Sequence, residues 1–417
     1  MHFVHLIVLS ATSLALLLAA NVPTAVAGGV PRLIKWADVE KLIVEHPSLR
    51  IARERVRVAE GDLGITRQYS NPELGIRMGK ASEYGGPVSK FVWDLELTIP
   101  VEWPGKYIYR SRAADEGIKA AVLDLGAERL AVYRDIRALY EAIGYDQETR
   151  RTLSGSEEQL ARLTAMVRVR VAKGDARPAD LARIEAELEE LQIEVSRNES
   201  EARTRRARLS LWLGDGLPTD YSVEPVLERI PSESELAALL DRSPDDHPAV
   251  RAAVARKKQA AASVSAEKHA AAPDLSAGAY YGEDFDSHGF GGLLSLSLPL
   301  WNWNLGGISR ARAEENAADS QVDLARRRVK EAVIEMAAKA RGAFDAVCRY
   351  RSEILPRAQR ALDDTEALYK AGEIGLTEVL DAKRALLRMQ GGYNAVRFEL
   401  LNAMLDLNVL TGGAGNV

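Results

Sequence analysis

Trp93-Asp94-Leu95-Glu96-Leu97-Thr98-Ile99 alternates polar and apolar residues without a slip. A period of two puts Asp94, Glu96 and Thr98 on one face of a strand and Trp93, Leu95, Leu97 and Ile99 on the other. Three more segments share the habit: Glu73-Leu74-Gly75-Ile76-Arg77-Met78, Leu294-Ser295-Leu296-Ser297-Leu298 and, more weakly, Leu275 to Gly282. They pair into hairpins at 71–100 and 273–299, across loops (Lys80–Lys90 and Glu283–Gly289) rich in Gly, Ser and charge. A run of about 9–10 residues is the span of a tilted membrane strand. A soluble hairpin with one wet face also alternates. It seldom needs so apolar an outer side with aromatics just below it. Here Trp103, Tyr107, Tyr109, Trp301 and Trp303 cluster near Pro100 and Pro299, where an interfacial belt would sit.

Four strands cannot close a barrel. The smallest membrane barrels need about eight, and an open edge in lipid leaves backbone groups unpaired at several kcal/mol each. Strands that enter a membrane must therefore be shared between chains, and the oligomer becomes obligatory.

Outward from the strands the chain is written twice. His46-Pro47-Ser48-Leu49-Arg50 recurs as His247-Pro248-Ala249-Val250-Arg251, and Pro72-Glu73-Leu74 as Pro273-Asp274-Leu275. Ile108 to Ala113 meets Ile308 to Ala313, and Lys173-Gly174 meets Ala371-Gly372. Landmarks in one order at nearly one offset indicate two copies of a large unit, 32–213 and 234–412, joined through Gly214–Pro244. Each copy predicts a helix (Trp36–Gln68, Ala249–Ala271), two strands, a very long helix (Ile108–Ala172, Ile308–Ala371), a glycine turn and a last helix (Pro178–Leu213, Leu376–Leu410). About 65 residues at 1.5 Å each span roughly 95 Å, wider than any compact core. Ile118, Val122, Leu125, Val132, Ile136, Leu139 and Ile143 step by three and four, with Arg129 filling the one missing slot, and Val322, Ala325, Val329, Val333, Met336, Ala340, Ala343 and Val347 do the same. That is a coiled-coil seam, though an ordinary bundle core fits the stretch equally well.

Composition narrows the function. The chain has 417 residues and a net charge of −5, with no basic excess of the nucleic-acid-binding kind. One cysteine, Cys348, excludes an intrachain disulfide and a cysteine zinc site. It reads as a buried small residue of the long helix. Residues 1–27 carry no Lys, Arg, Asp or Glu; Leu6–Ala20 is apolar and Ala25-Val26-Ala27 suits a signal peptidase. An export signal cleaved after Ala27 is expected. No phosphate-binding loop or dinucleotide fingerprint appears, so no enzyme activity, cofactor or energy source is expected.

Lys370-Ala371-Gly372-Glu373-Ile374-Gly375-Leu376-Thr377-Glu378-Val379-Leu380-Asp381-Ala382 resembles the periplasmic helix-turn-helix signature of the outer membrane efflux proteins, the TolC-like outer membrane factors. The resemblance covers nearly all of 32–412. Pro100 to Lys106 is similar to the segment after the second strand in the heavy-metal (Czc/Cus-type) branch. The resemblance implies a mainly α chain with a small membrane β portion. As a homotrimer it would share a 12-strand barrel in the outer membrane lipid and a helical tunnel through the periplasm. It implies docking to a membrane fusion adaptor and an inner-membrane pump of RND type. Tunnel tips then fall at 173–181 and 370–381, with Gly174, Arg177, Leu181, Gly372, Leu376 and Thr377 as adaptor contacts. Glu378 and Asp381, with Asp180 in the first copy, would line the periplasmic gate, although acids spaced by three are also ordinary on a solvated helix face.

The reading is a passive exit duct, with metal cations as the expected cargo and drugs or a secreted polypeptide as alternatives. A periplasmic coiled-coil scaffold is the rival; it leaves the four strands unexplained. His46 and His247 precede prolines at helix starts and read as caps, not metal ligands. Asp284, Asp286 and His288 suggest a divalent cation, but acidic external loops are common.

Overall fold

The computed structural model of the chain describes residues 32–82, 86–214, 216–218, 220–224, 233–240 and 244–411. The expected export signal, 1–27, lies outside them. The first half runs β1 (Arg32–Ile34), α1 (Trp36–Ile43), α2 (Pro47–Thr66), β2 (Glu73–Ser82), β3 (Ser89–Val101), α3 (Pro104–Ala172) and α4 (Pro178–Leu213). Then come β4 (Tyr221–Val223), α5 (Glu233–Leu240) and one 3-10 turn, Pro244–Asp246. The second half is α6 (Pro248–Ala270), β5 (Asp274–Glu283), β6 (His288–Ser297), α7 (Leu305–Arg349), α8 (Leu355–Ala371) and α9 (Leu376–Leu410).

The long strands form one antiparallel sheet in the order β2-β3-β5-β6. Its register sorts the side chains. Leu74 faces Leu97, Ile76 faces Leu95, and Met78 faces Trp93. Leu97 in turn faces Ala279, Leu95 faces Tyr281, and Ile99 faces Ala277. Ala277 then meets Leu294, and Tyr281 meets Phe290. One face is therefore apolar across all four strands, and Phe290 is 89% exposed on it. The opposite face carries Glu73, Arg77, Asp94, Glu96 and Thr98. There the Arg77 guanidinium lies 3.6 Å from Asp94 and 3.8 Å from Glu96. Among the described residues β2 and β6 each pair on one side only. Below the sheet α2, α3, α6 and α7 pack in the same order as the strands they join.

Among the described residues three separate apolar cores lie along the helices. The first gathers Val39, Ile43, Ile136, Tyr140, Leu209 and Tyr221 around β1 and β4. There the Tyr140 hydroxyl donates to Ile34 O at 2.9 Å and accepts from Glu224 N at 3.2 Å. Burial pushes that phenol up to about 12. The second joins Ala340, Ala343, Val347, Leu400 and Leu407. The third sits at the far end of α3, α4, α8 and α9.

The sequence expectations need five corrections. The helix expected over Trp36–Gln68 breaks before Pro47, which has no N–H and is favoured at a first helical position; α1 and α2 result. The stretch 214–244, expected as a linker, contributes β4, parallel to β1, and α5. The helix expected over Ile308–Ala371 is interrupted by a π-helical turn, Tyr350–Ile354. The hairpin loops are shorter than Lys80–Lys90 and Glu283–Gly289, because the ladders run on to Ser82–Ser89 and Glu283–His288. Cys348 is exposed: Val347 holds the buried slot, and one residue along a helix rotates the next side chain outward by about 100°. Along the α3 seam Val132, Ile136 and Ile143 are buried while Val122 is 49% exposed.

Candidate channel tips and gate

Each long hairpin turns on one left-handed glycine. Gly174 has φ +80° and Gly372 has φ +81°. Gly174 N–H donates to Val171 O at 3.0 Å and Asp175 N–H to Arg170 O at 2.9 Å; Gly372 N–H donates to Tyr369 O at 3.1 Å and Glu373 N–H to Leu368 O at 3.0 Å. This is one bonding scheme twice, with the six-to-one and five-to-two bonds that satisfy the last helix carbonyls. Nothing lies within 4 Å of where a Cβ would stand at either glycine. Backbone angle, not space, selects the residue.

The chains re-enter helix through the same extended backbone but different residues: α4 starts on Pro178 after Arg177, and α9 on Leu376 after Gly375. Beneath the turns Leu160, Val167, Ile184, Tyr369, Leu376, Val379 and Leu380 form one core, with Leu181 and Ile374 packed against it. Leu376, expected to face an adaptor, is only 4% exposed and is a core residue of the tip. Gly174, Arg177 and Gly372 are exposed, and Leu181 and Thr377 are half-buried.

The three gate acids differ in their surroundings. Asp180 is held by a two-bond pair with Arg177, both bonds 3.1 Å, and only 21% of its side chain is exposed. Asp381 is exposed and lies 3.5 Å from Arg384. Glu378 is exposed and makes no ion pair among the described residues. The halves are tied together by contacts that sequence reasoning missed. Arg183 Nη1 donates to Thr377 Oγ1 at 2.9 Å. Arg384 grips Glu187 through one guanidinium edge, Nε donating to Oε1 at 2.6 Å and Nη2 to Oε2. Within the second half, Lys383 on α9 meets Glu366 on α8 at 2.6 Å. These partners lie up to about 200 residues apart, and only the helix register could have hinted at them. Behind them is a cleft of about 1040 Å³ among α3, α4, α8 and α9, lined by Thr152, Glu187, Glu190, Gln359, Arg384 and Arg388.

At the other end Trp103, Trp301 and Trp303 are exposed, Trp301 at 92%. Tyr107 stacks on Tyr69 at 5.7 Å and Tyr109 on His269 at 3.8 Å, so these two are engaged within the chain. The imidazole Nδ1 of His46 accepts from Ser48 N–H at 3.2 Å, and that of His247 from Ala249 N–H at 3.1 Å. Both are helix caps. Burial holds both imidazoles below their usual range. Asp286 pairs with Lys90 at 2.8 Å. No grouping of three metal-ligating side chains occurs among the described residues.

A sheet with an apolar outer face and two free edges, continued by paired helices to glycine-turned tips, defines a subunit of a strand-and-helix channel. The sequence matches the outer membrane efflux protein family over residues 39–215 and 239–413, and the chain belongs to that family. Its place is the outer membrane. It is 23% identical over 368 residues to the cobalt-zinc-cadmium resistance protein CzcC of Cupriavidus metallidurans, covering 88% of this chain and 86% of that one. It is 23% identical over 420 residues to the pyoverdine export outer membrane protein OpmQ of Pseudomonas aeruginosa, covering 93% and 86%. Among solved structures it superposes on the outer membrane protein VceC of Vibrio cholerae with a TM-score of 0.74 at 18% identity, over 90% of this chain and 96% of that one. On CusC the TM-score is 0.73 at 16% identity, over 93% and 95%.

Proposed function

We propose that three copies of the chain form a passive exit duct of a tripartite efflux system. The observation that carries this is the sheet with an apolar face and two unpaired edges. In lipid such edges must pair, and four strands from each of three chains make twelve. Because α2, α3, α6 and α7 follow the strand order, one closure also closes the helices into a tunnel. A soluble scaffold would leave the apolar face in water, where a patch of that size is rare.

A periplasmic adaptor meets the tips at Gly174, Arg177, Gly372 and Thr377, and an inner-membrane RND pump supplies the energy. Adaptor binding opens the tips through its greater affinity for the open state. Glu378 and Asp381, each tripled by symmetry, line the periplasmic entrance and draw cations. Asp180, neutralised by Arg177, adds least. The likeness to the cobalt-zinc-cadmium protein supports metal cations as cargo. The likeness to the pyoverdine exporter supports an organic one, so cargo is read separately. Purified protein in planar bilayers is expected to conduct, and Glu378→Gln with Asp381→Asn to change conductance and lower cation preference. Unchanged values remove the gate assignment. Deletion of the gene is expected to sensitise cells to divalent metals; sensitivity to organic compounds alone would transfer the cargo to that class.

A further inference from the structure

One short pattern stands twice where a strand gives way to a long helix. Trp103-x4-Ile108-x-Arg110-x-Arg112-Ala113 recurs as Trp303-x4-Ile308-x-Arg310-x-Arg312-Ala313. The structure gives the two arginines of each copy different surroundings. Arg110 is bonded: Nη1 and Nη2 donate to the Glu102 carboxylate at 2.6 and 3.0 Å, and Nη2 also donates to Thr66 O at 3.0 Å. Arg310 lies 3.4 Å from Glu267 and 3.8 Å from Glu314. Arg112 and Arg312 are exposed and make no hydrogen bond or ion pair among the described residues.

Their direction follows from the strand before them. Asp94, Glu96 and Thr98 lie on the polar face of β3. Glu102 keeps their parity just past the strand, and so draws Arg110 to the polar side. Arg112 stands two residues further along α3, and two residues turn a helix by about 200°. It therefore faces the side of the apolar surface, to which Trp103 belongs by parity. The same two-residue step parts Arg312 from Arg310 on α7. Ile108, one turn above Arg112 on that side, is 56% exposed.

The level also fits. Arg112 is about 12 Å along α3 from its first residue, and Arg312 about 10 Å along α7. Helix side chains lean toward the N-terminus, and for both helices that end joins the strands. A long cationic side chain also runs its stem over apolar surface to reach a polar border. Neighbouring acids are engaged elsewhere: Asp115 pairs with Arg67 at 3.5 Å, Glu116 with Lys119 at 2.7 Å, and Asp319 with Lys257 at 2.5 Å.

We propose that Arg112 and Arg312 each hold the phosphate of an anionic phospholipid in the periplasmic leaflet, with Trp103 and Trp303 against its glycerol region. A planar guanidinium meets a phosphate with two parallel hydrogen bonds, and an indole ring settles at headgroup level. Continuity with the apolar face selects a lipid over a free anion, because only a lipid fills the exposed tryptophan and isoleucine surface above the charge. The duplication gives each chain two such sites. They rest on the reading that the sheet's apolar face meets lipid, and are independent of gate and cargo.

Full-length protein reconstituted into phosphatidylcholine vesicles with a trace of spin-labelled lipid tests this. Spin-labelled phosphatidylglycerol is expected to be held at the protein border about fivefold over spin-labelled phosphatidylcholine, the gain from one cation near an anionic headgroup. Arg112→Gln with Arg312→Gln is expected to abolish that preference. Arg129→Gln, at an exposed arginine about 25 Å further down α3, is expected to leave it unchanged. Protein that floats with the vesicles yet shows no preference overturns the proposal. So does a preference that survives the double substitution, or one that Arg129→Gln lowers equally. Displacement of the held lipid by millimolar inorganic phosphate would make these free-anion sites and overturns it as well. Protein that does not float with the vesicles would remove the membrane reading itself, and the lipid sites with it.

Discussion

The tips of the two halves share a backbone and little else. Gly174 and Gly372 close their helices with the same pair of hydrogen bonds and nearly the same φ. Around that common turn the chemistry diverges. The first half puts Arg177-Pro178 after it and ties Asp180 to Arg177. The second half puts Ile374-Gly375 there, buries Leu376, Val379 and Leu380, and leaves Glu378 exposed. The shaft leading to the first tip is unbroken, and the shaft leading to the second contains the π turn. A turn is fixed by local backbone geometry and tolerates no drift. Charge and stiffness are set by side chains that each half can change alone.

The largest test of that contrast is in the tip core. Leu380→Ala empties a site that is 1% exposed and is expected to destabilise by about 3 kcal/mol. Leu181→Ala, half-buried in the first half, is expected to cost about 1 kcal/mol. Thermal unfolding of the detergent-extracted protein compares them, and equal shifts would break the contrast. Next comes the clamp across the halves. Arg384→Ala leaves the Glu187 carboxylate, 14% exposed, without its partner. A loss of about 1 kcal/mol is expected, kept small because the guanidinium is itself 41% exposed. Arg177→Ala, at the exposed local pair, should leave the midpoint unmoved.

The turns themselves should behave alike. Gly174→Ala and Gly372→Ala are each expected to cost about 1 kcal/mol, since both ask an alanine to take positive φ. A several-fold difference between them would show that the shared turn geometry is wrong. The smallest effect is in pH. His46 and His247 accept through a neutral ring nitrogen, and both are held below 6.5 in the fold. The unfolded chain therefore binds protons first as pH falls. Stability should be full above about 6.5 and decline as pH drops towards the lowered values, by less than about 1 kcal/mol per cap. His46→Asn with His247→Asn, which keeps a capping acceptor, should flatten that slope.

The sheet and the long helices could be read in the sequence because their signals are local and repeated. Trp93 to Ile99 declares its faces residue by residue, and Gly174 and Gly372 mark the turns. β1 and β4 could not be read: three residues cannot show a period, and what joins them is Tyr140, more than 80 residues from Glu224. The π turn left only Pro356 as a trace, and a proline also fits the first turn of a new helix. Arg384 and Glu187 are ordinary surface residues until α4 and α9 are laid side by side. Leu376 looked like a contact residue because it belongs to a motif at a tip. In the fold the same position faces inward, because α9 starts there and turns its apolar stripe to the core.

The account stands on one claim, that β2 and β6 pair with other copies in a membrane. The mass of the complex extracted by detergent from outer membranes tests it most directly. Three chains per particle, with none stable as a free monomer, is the predicted result. A monomer that stays in aqueous buffer and binds neither detergent nor lipid would contradict it.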